Sequence, residues 1–170
     1  MALLFGCTED RTIIVGSSET EQPHLFSIAD RTQPIITMGT FQEIDFNYEL
    51  GDAHEFGNDG NCIIVQKSGH YLAQLEAFFQ DNSAVATSKV AIIITKNGAE
   101  VSGSYTETNF VKQYANKELT TFGYVETVLN DRICMEWTTN DADVSLTGIN
   151  SYSTQPIVAK GFINWVHAAD

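Results

Sequence analysis

An all-β antiparallel sandwich of jelly-roll type, with no substantial helix, is the fold class this sequence predicts. Three observations point there. Apolar and polar residues alternate with period two in one segment after another, which is the strand signature. Helical periodicity is nearly absent. Turn-forming residues interrupt the chain at short spacings, which leaves room for roughly eight to ten strands. The chain has 170 residues, a length that suits one domain with an arm. A hydrophobic share of 43% supplies a core and argues against general disorder.

The elements follow in order. Thr12 to Val15 reads as a short strand, residues 16–22 as a polar loop, and Ile35 to Met38 as a second short strand. Residues 1–40 are therefore expected to form an N-terminal arm or accessory β segment, with the jelly roll over 41–170. Ile44, Phe46, Tyr48 and Leu50 alternate with Asp45, Asn47 and Glu49. Tyr71, Ala73, Leu75, Ala77 and Phe79 line one face of a long strand whose other face carries Leu72, Gln74, Glu76 and Phe78. Val90, Ile92 and Ile94 alternate next, and Lys96-Asn97-Gly98-Ala99 reads as a tight hairpin because Asn-Gly accepts positive φ. Leu119 to Leu129 alternates again. Residues 129–133 turn the chain into a strand through Met135 and Trp137, followed by a short strand at Val144 and Leu146 and a last one over Ile157 to Val166.

Charge and chemistry narrow the function. Twenty-two acidic against nine basic side chains give a net charge of -13. So acidic a chain repels phosphates, so neither nucleic-acid backbones nor anionic lipid surfaces are expected partners. No run of about 18 apolar residues offers a membrane span. Cys7, Cys62 and Cys134 are widely spaced and odd in number, which suggests buried reduced thiols and synthesis in a reducing compartment. Residues 1–7 faintly resemble a lipoprotein cleavage box without its basic region, so cytosolic synthesis without secretion is expected. His24, His54, His70 and His167 show no metal-ligand spacing, and His70 reads as a hydrogen-bonding turn residue. No nucleophile elbow or phosphate-cradling loop occurs. No catalytic residue, metal or cofactor is expected, and an enzyme is the less favoured class. Two acidic loops, Asn58-Asp59-Gly60-Asn61 and Asn140-Asp141-Ala142-Asp143, offer oxygen ligands for hard cations, although solvated loops are the favoured reading.

Several motifs then occur in a recognisable order. Gly69-His70-Tyr71 leads into the long alternating strand, with Phe46, Asp52, Phe56 and Ile63 upstream. Val90 to Tyr105 gives a strand, an Asn-Gly hairpin and a polar strand. Leu129-Asn130-Asp131-Arg132-Ile133 is a turn into a strand, and Gly161-Phe162-Ile163-Asn164-Trp165 closes the chain. In this order the stretch from Phe46 to Val166 resembles the C1q/TNF-like trimeric jelly rolls. Ala73 and Leu75 depart from that pattern, standing where aromatics usually follow the tyrosine.

The resemblance implies a homotrimer packed about a three-fold axis. Phe78, Tyr124, Phe162 and Trp165 are the candidates for the trimer interface, with ordinary core the competing placement. Standalone jelly-roll trimers resemble the decoration (cement) proteins of tailed bacterial viruses. That resemblance implies a structural virion protein on the capsid exterior, made in the host cytoplasm, which binds the major capsid protein and stabilises capsomer junctions. Leu3, Leu4, Phe5, Ile13, Ile14 and Val15 would form the capsid-docking arm. The alternative is a fibre or receptor-binding module that recognises a host-surface ligand through residues 51–60, 106–117 and 140–141.

Overall fold

The computed structural model describes residues 24–51, 56–59, 61–83, 87–110, 115–148 and 157–168. Cys7, the strand expected at 12–15 and the docking-arm residues Leu3, Leu4, Phe5, Ile13, Ile14 and Val15 lie outside them. Every regular element among the described residues is a strand: β1 (His24–Ala29), β2 (Gln33–Pro34), β3 (Gln42–Glu43), β4 (Tyr48–Gly51) and β5 (Phe56–Asn58) come first. Next are β6 (Cys62–Val65), β7 (Gly69–Asp81), β8 (Lys89–Lys96), β9 (Ala99–Glu100) and β10 (Thr106–Asn109). The last four are β11 (Asn116–Thr127), β12 (Arg132–Thr139), β13 (Val144–Leu146) and β14 (Ala159–His167).

These strands form two antiparallel sheets. Sheet I runs β2-β13-β7-β14-β1-β4, with β11 on the other edge of β7. Sheet II runs β10-β8-β12-β6-β5, with β3 added to β12 and β9 to β8. β1 lies between β14 and β4, with Leu25 and Ala29 in the core. Within the stretch 1–40, read from sequence as an arm or accessory β segment, β1 and β2 pair into sheet I.

The long alternating strand is the centre of the sandwich. Tyr71, Ala73, Leu75, Ala77 and Phe79 of β7 all point inward and are fully buried. They meet Val90, Ile92 and Ile94 of β8 and Ile133, Met135 and Trp137 of β12 in one apolar cluster. The Phe79 and Trp137 rings lie 5.5 Å apart. Truncating Trp137 to alanine removes the largest fully buried side chain and should lower stability by about 3–5 kcal/mol. Guanidinium unfolding would read this as a lower midpoint, and a change under 1 kcal/mol would contradict this packing.

Two turns set the register. Asn97 and Gly98 have φ of 52° and 80°, the paired left-handed conformation that a two-residue hairpin requires. In the second turn Asp131 accepts the Val128 N–H at 2.9 Å and the Asn97 amide at 2.7 Å, and Lys96 lies 3.7 Å away. Burial pushes the Asp131 carboxyl up, but these donors and the lysine outweigh it, so its pKa lies below the ordinary value. Asp59 and Asp141 are lowered too. A carboxylate with a depressed folded pKa contributes stability above its unfolded value, about 3.9, and loses it as pH falls through the folded one. Unfolding below about pH 4 is therefore expected, and Asp131→Asn should weaken the pH dependence. An unchanged acid transition in that variant would contradict the role of Asp131.

Other elements move from their expected places. Residues 35–40 form bends and a turn where a strand is expected. Two glutamine amides replace backbone pairing there: Gln33 donates to Asp45 O and accepts its N–H, and Gln42 donates to Pro34 O and accepts the Ile36 N–H. Of the expected ligand-binding loops, residues 106–117 hold β10 and the start of β11, and residues 51–60 hold β5.

Candidate functional site

The outer face of sheet I carries the most exposed aromatic surface among the strands. Even-numbered residues of β7 and β11 and residues 160–164 of β14 alternate outward, and the pairing register lines them up in rows. One row places Tyr124 opposite Leu72 and Leu72 opposite Asn164; the next places Phe122 opposite Gln74 and Gln74 opposite Phe162. Phe122 is 67% exposed, Tyr124 53% and Leu72 36%. Neither row holds a carboxylate or a cation, in a chain of net charge -13. Charged residues begin only in the flanking rows, with Glu126 on one side and Glu76, Lys160 and Glu118 on the other. Lys160 bonds Glu76 at 2.7 Å and lies 5.5 Å from the centre of the Phe78 ring.

Of the four expected interface residues, the structure brings Phe78, Tyr124 and Phe162 onto this face and leaves Trp165 out. Trp165 keeps the regular register opposite Tyr71, three positions from Phe162 and so on the inward side, where it packs against the core beneath Lys67; the β-bulge after it brings His167 opposite His70. A Cβ on Gly69 would stand 2.5 Å from the Trp165 indole nitrogen, so glycine there is what lets the indole pack. Leu72 and Phe122 belong to the same face, which the sequence reading did not assign to them. The signal for Phe122 is its i, i+2 spacing from Tyr124.

One end of the face is a ring cluster. His70 is a strand residue of β7, not the turn residue the sequence suggests. Its ring stacks on Tyr124 at 5.4 Å and lies 4.3 Å from His167. His167 Nδ1 lies 2.8 Å from the Ala168 carbonyl and Nε2 lies 2.8 Å from the Tyr124 hydroxyl. A carbonyl only accepts, so Nδ1 carries the proton, and in the neutral ring Nε2 accepts from Tyr124. The rings therefore engage one another, an arrangement that rigidifies a surface.

Sheet II overturns the expectation of reduced cysteines. Cys62 of β6 and Cys134 of β12 pair directly across adjacent strands and form a disulfide. Their 72-residue separation conceals this, because only the strand register brings them together. Arg132 Nη2 lies 3.3 Å from Cys62 Sγ and 2.6 Å from Asp59 Oδ2. Asp59 also accepts the backbone N–H groups of Asn61 and Cys62. Burial raises its pKa, yet these donors and Arg132 bring it below the ordinary value. The Asp59 carboxylate thus holds a turn and an arginine in place. Glu43 stands close to the two sulfurs, but in the disulfide neither sulfur is a thiolate that could bind a metal.

Comparison with known proteins adds the fold's relationship. No family model matches the chain, and no curated protein matches it in sequence. Among solved structures it is similar to the crystal structure of murine APRIL at pH 8.0. The TM-score is 0.57 and the identity 14%, over 85% of this chain and 99% of that one. The match bears out the predicted fold class: the chain is a TNF-like jelly-roll sandwich of two antiparallel sheets.

Proposed function

We propose that this chain is a non-enzymatic assembly protein that works as a homotrimer, with the outer face of sheet I between protomers. In that form it would decorate the exterior of a viral capsid by binding the major capsid protein. The observation that carries the reading is the pair of uncharged rows, Tyr124-Leu72-Asn164 and Phe122-Gln74-Phe162. Copies of a chain with net charge -13 repel one another, so they associate best where carboxylates are absent and apolar area is exposed. A second copy of the chain meets both conditions.

The capsid partner rests on other grounds. A trimer presents any docking surface three times, so three weak contacts act as one avid contact. Acidic charge outside the interface suits a basic patch on the partner. The Cys62–Cys134 disulfide suits a protein that works outside a reducing cytosol, as the exterior of a released virion does. Co-sedimentation with purified capsids, run beside adsorption to whole host cells, tests this reading. Retention on capsids alone is expected. Adsorption to cells alone would replace decoration with host-surface recognition.

A further inference from the structure

The ring cluster at the end of the outer face of sheet I holds nitrogen donors that the packing of the sandwich does not use. His70 of β7 and His167 of β14 are register partners on adjacent strands, opposite each other because of the bulge after Trp165. No sequence spacing joins them; the strand pairing alone does. Their ring centres lie 4.3 Å apart, with the planes inclined by 36°. That spacing is close to what a shared metal ion requires. An imidazole nitrogen binds a first-row ion at about 2.0–2.1 Å, which puts the ion about 3.2 Å from the ring centre. Two rings on one ion, at a bond angle of about 90–110°, then have centres about 4.5–5.2 Å apart. A side-chain adjustment of a few tenths of an ångström completes the chelate.

Hydrogen bonding sets the donor nitrogen of His167. Its Nδ1 donates to the Ala168 carbonyl at 2.8 Å, which leaves the lone pair on Nε2. A ring N–H held on a backbone carbonyl is also the outer-shell arrangement that orients metal-bound histidines and raises their basicity. The Tyr124 hydroxyl, 2.8 Å from Nε2, is all that an ion would displace. Tyr124 is more than half exposed, so water can take over its hydroxyl. In His70, Nδ1 is buried and meets no hydrogen-bond partner among the described residues. A buried ring nitrogen without a partner costs free energy, and an ion bound to it restores one. Glu126 stands opposite His70 on β11, and the chain's charge of -13 favours a cation near this face.

We propose that His70 and His167 chelate one divalent ion of the imidazole-preferring class, Zn²⁺ or Cu²⁺ rather than Mg²⁺ or Ca²⁺, with water completing the coordination. The ion would clamp β14 to β7 at the place where the bulge interrupts their pairing. Both donors belong to one chain, so the site stands whether the chain is a monomer or a trimer.

The test is calorimetric titration of the full chain with Zn²⁺, after treatment with a chelator and its removal, beside nuclear magnetic resonance of the histidine rings in the same titration. One equivalent per chain is expected, with the His70 and His167 ring signals moving together and Mg²⁺ producing neither effect. His70→Gln and His167→Gln should each weaken Zn²⁺ binding by at least about tenfold, since loss of an outer-shell partner alone costs that much. His167 is exposed, so its variant keeps the test valid if His70→Gln folds poorly. His24→Gln, on β1 opposite Asn164, is the control and should bind as the unmodified chain does. No Zn²⁺ binding by the unmodified chain would overturn the site. So would binding that His167→Gln leaves intact, or that His24→Gln weakens equally. The native mass of the same samples reads the trimer separately, so failure of the assembly reading and failure of the metal site are told apart.

Discussion

Replacing Phe122 and Tyr124 together with glutamate should convert the proposed trimer into a folded monomer. Both side chains are more than half exposed on β11, so the substitutions leave the core of one protomer intact. Between protomers they remove two aromatic contacts, each worth about 1.5–3 kcal/mol when fully buried. They also place carboxylates where the face has none, beside chains that already repel. A loss of about 4 kcal/mol per interface corresponds to roughly a thousandfold weaker association. Sedimentation at micromolar concentration should show one species of monomer mass, with an unchanged far-ultraviolet dichroism spectrum. Glu118→Gln, in a charged flanking row, is the control and should stay trimeric. A double variant that remains trimeric would place the interface on another face.

Loss of the disulfide should destabilise the single chain as strongly as the largest core truncation. The Cys62–Cys134 link closes a loop of 72 residues, and the chain-entropy relation gives about 4 kcal/mol for a loop of that length, within the 2–5 kcal/mol usual for native bridges. Cys62→Ala with Cys134→Ala, or treatment with a dithiol reductant, should lower the guanidinium midpoint accordingly. The slope reports whether the unfolded chain has also expanded. Both cysteines are buried and Arg132 lies against Cys62, so reduction of the native protein should be slow and should accelerate with denaturant. Equal midpoints with and without reductant would mean that the two sulfurs are not bonded in solution.

What the sequence reveals, and what it conceals, follows from the range of each interaction. The inward face of β7 is legible because strand periodicity is local: Tyr71 to Phe79 alternate without a break. The 97–98 hairpin is legible because asparagine and glycine themselves permit the required φ values. Phe78, Tyr124 and Phe162 are legible as residues of one outward face because they alternate against buried neighbours. Trp165 stands three positions from Phe162, so plain alternation already turns it to the opposite face, beside Ile163. Residues 35–38 look like a strand by composition, yet the Gln33 and Gln42 side chains, with hydrogen bonds spanning 6 to 12 positions, close that segment as a loop. The disulfide is invisible in the same way: it joins residues 72 positions apart, and strand register alone brings them within reach.

The claim on which the functional reading depends is assembly through the outer face of sheet I. The most direct measurement is the native mass of the unmodified chain, by size-exclusion chromatography with light scattering at physiological salt and neutral pH. A single species at three times the 18.8 kDa chain mass is the predicted result. A stable monomer at tens of micromolar would contradict it, leaving Phe122, Tyr124 and Leu72 as a surface for a different partner.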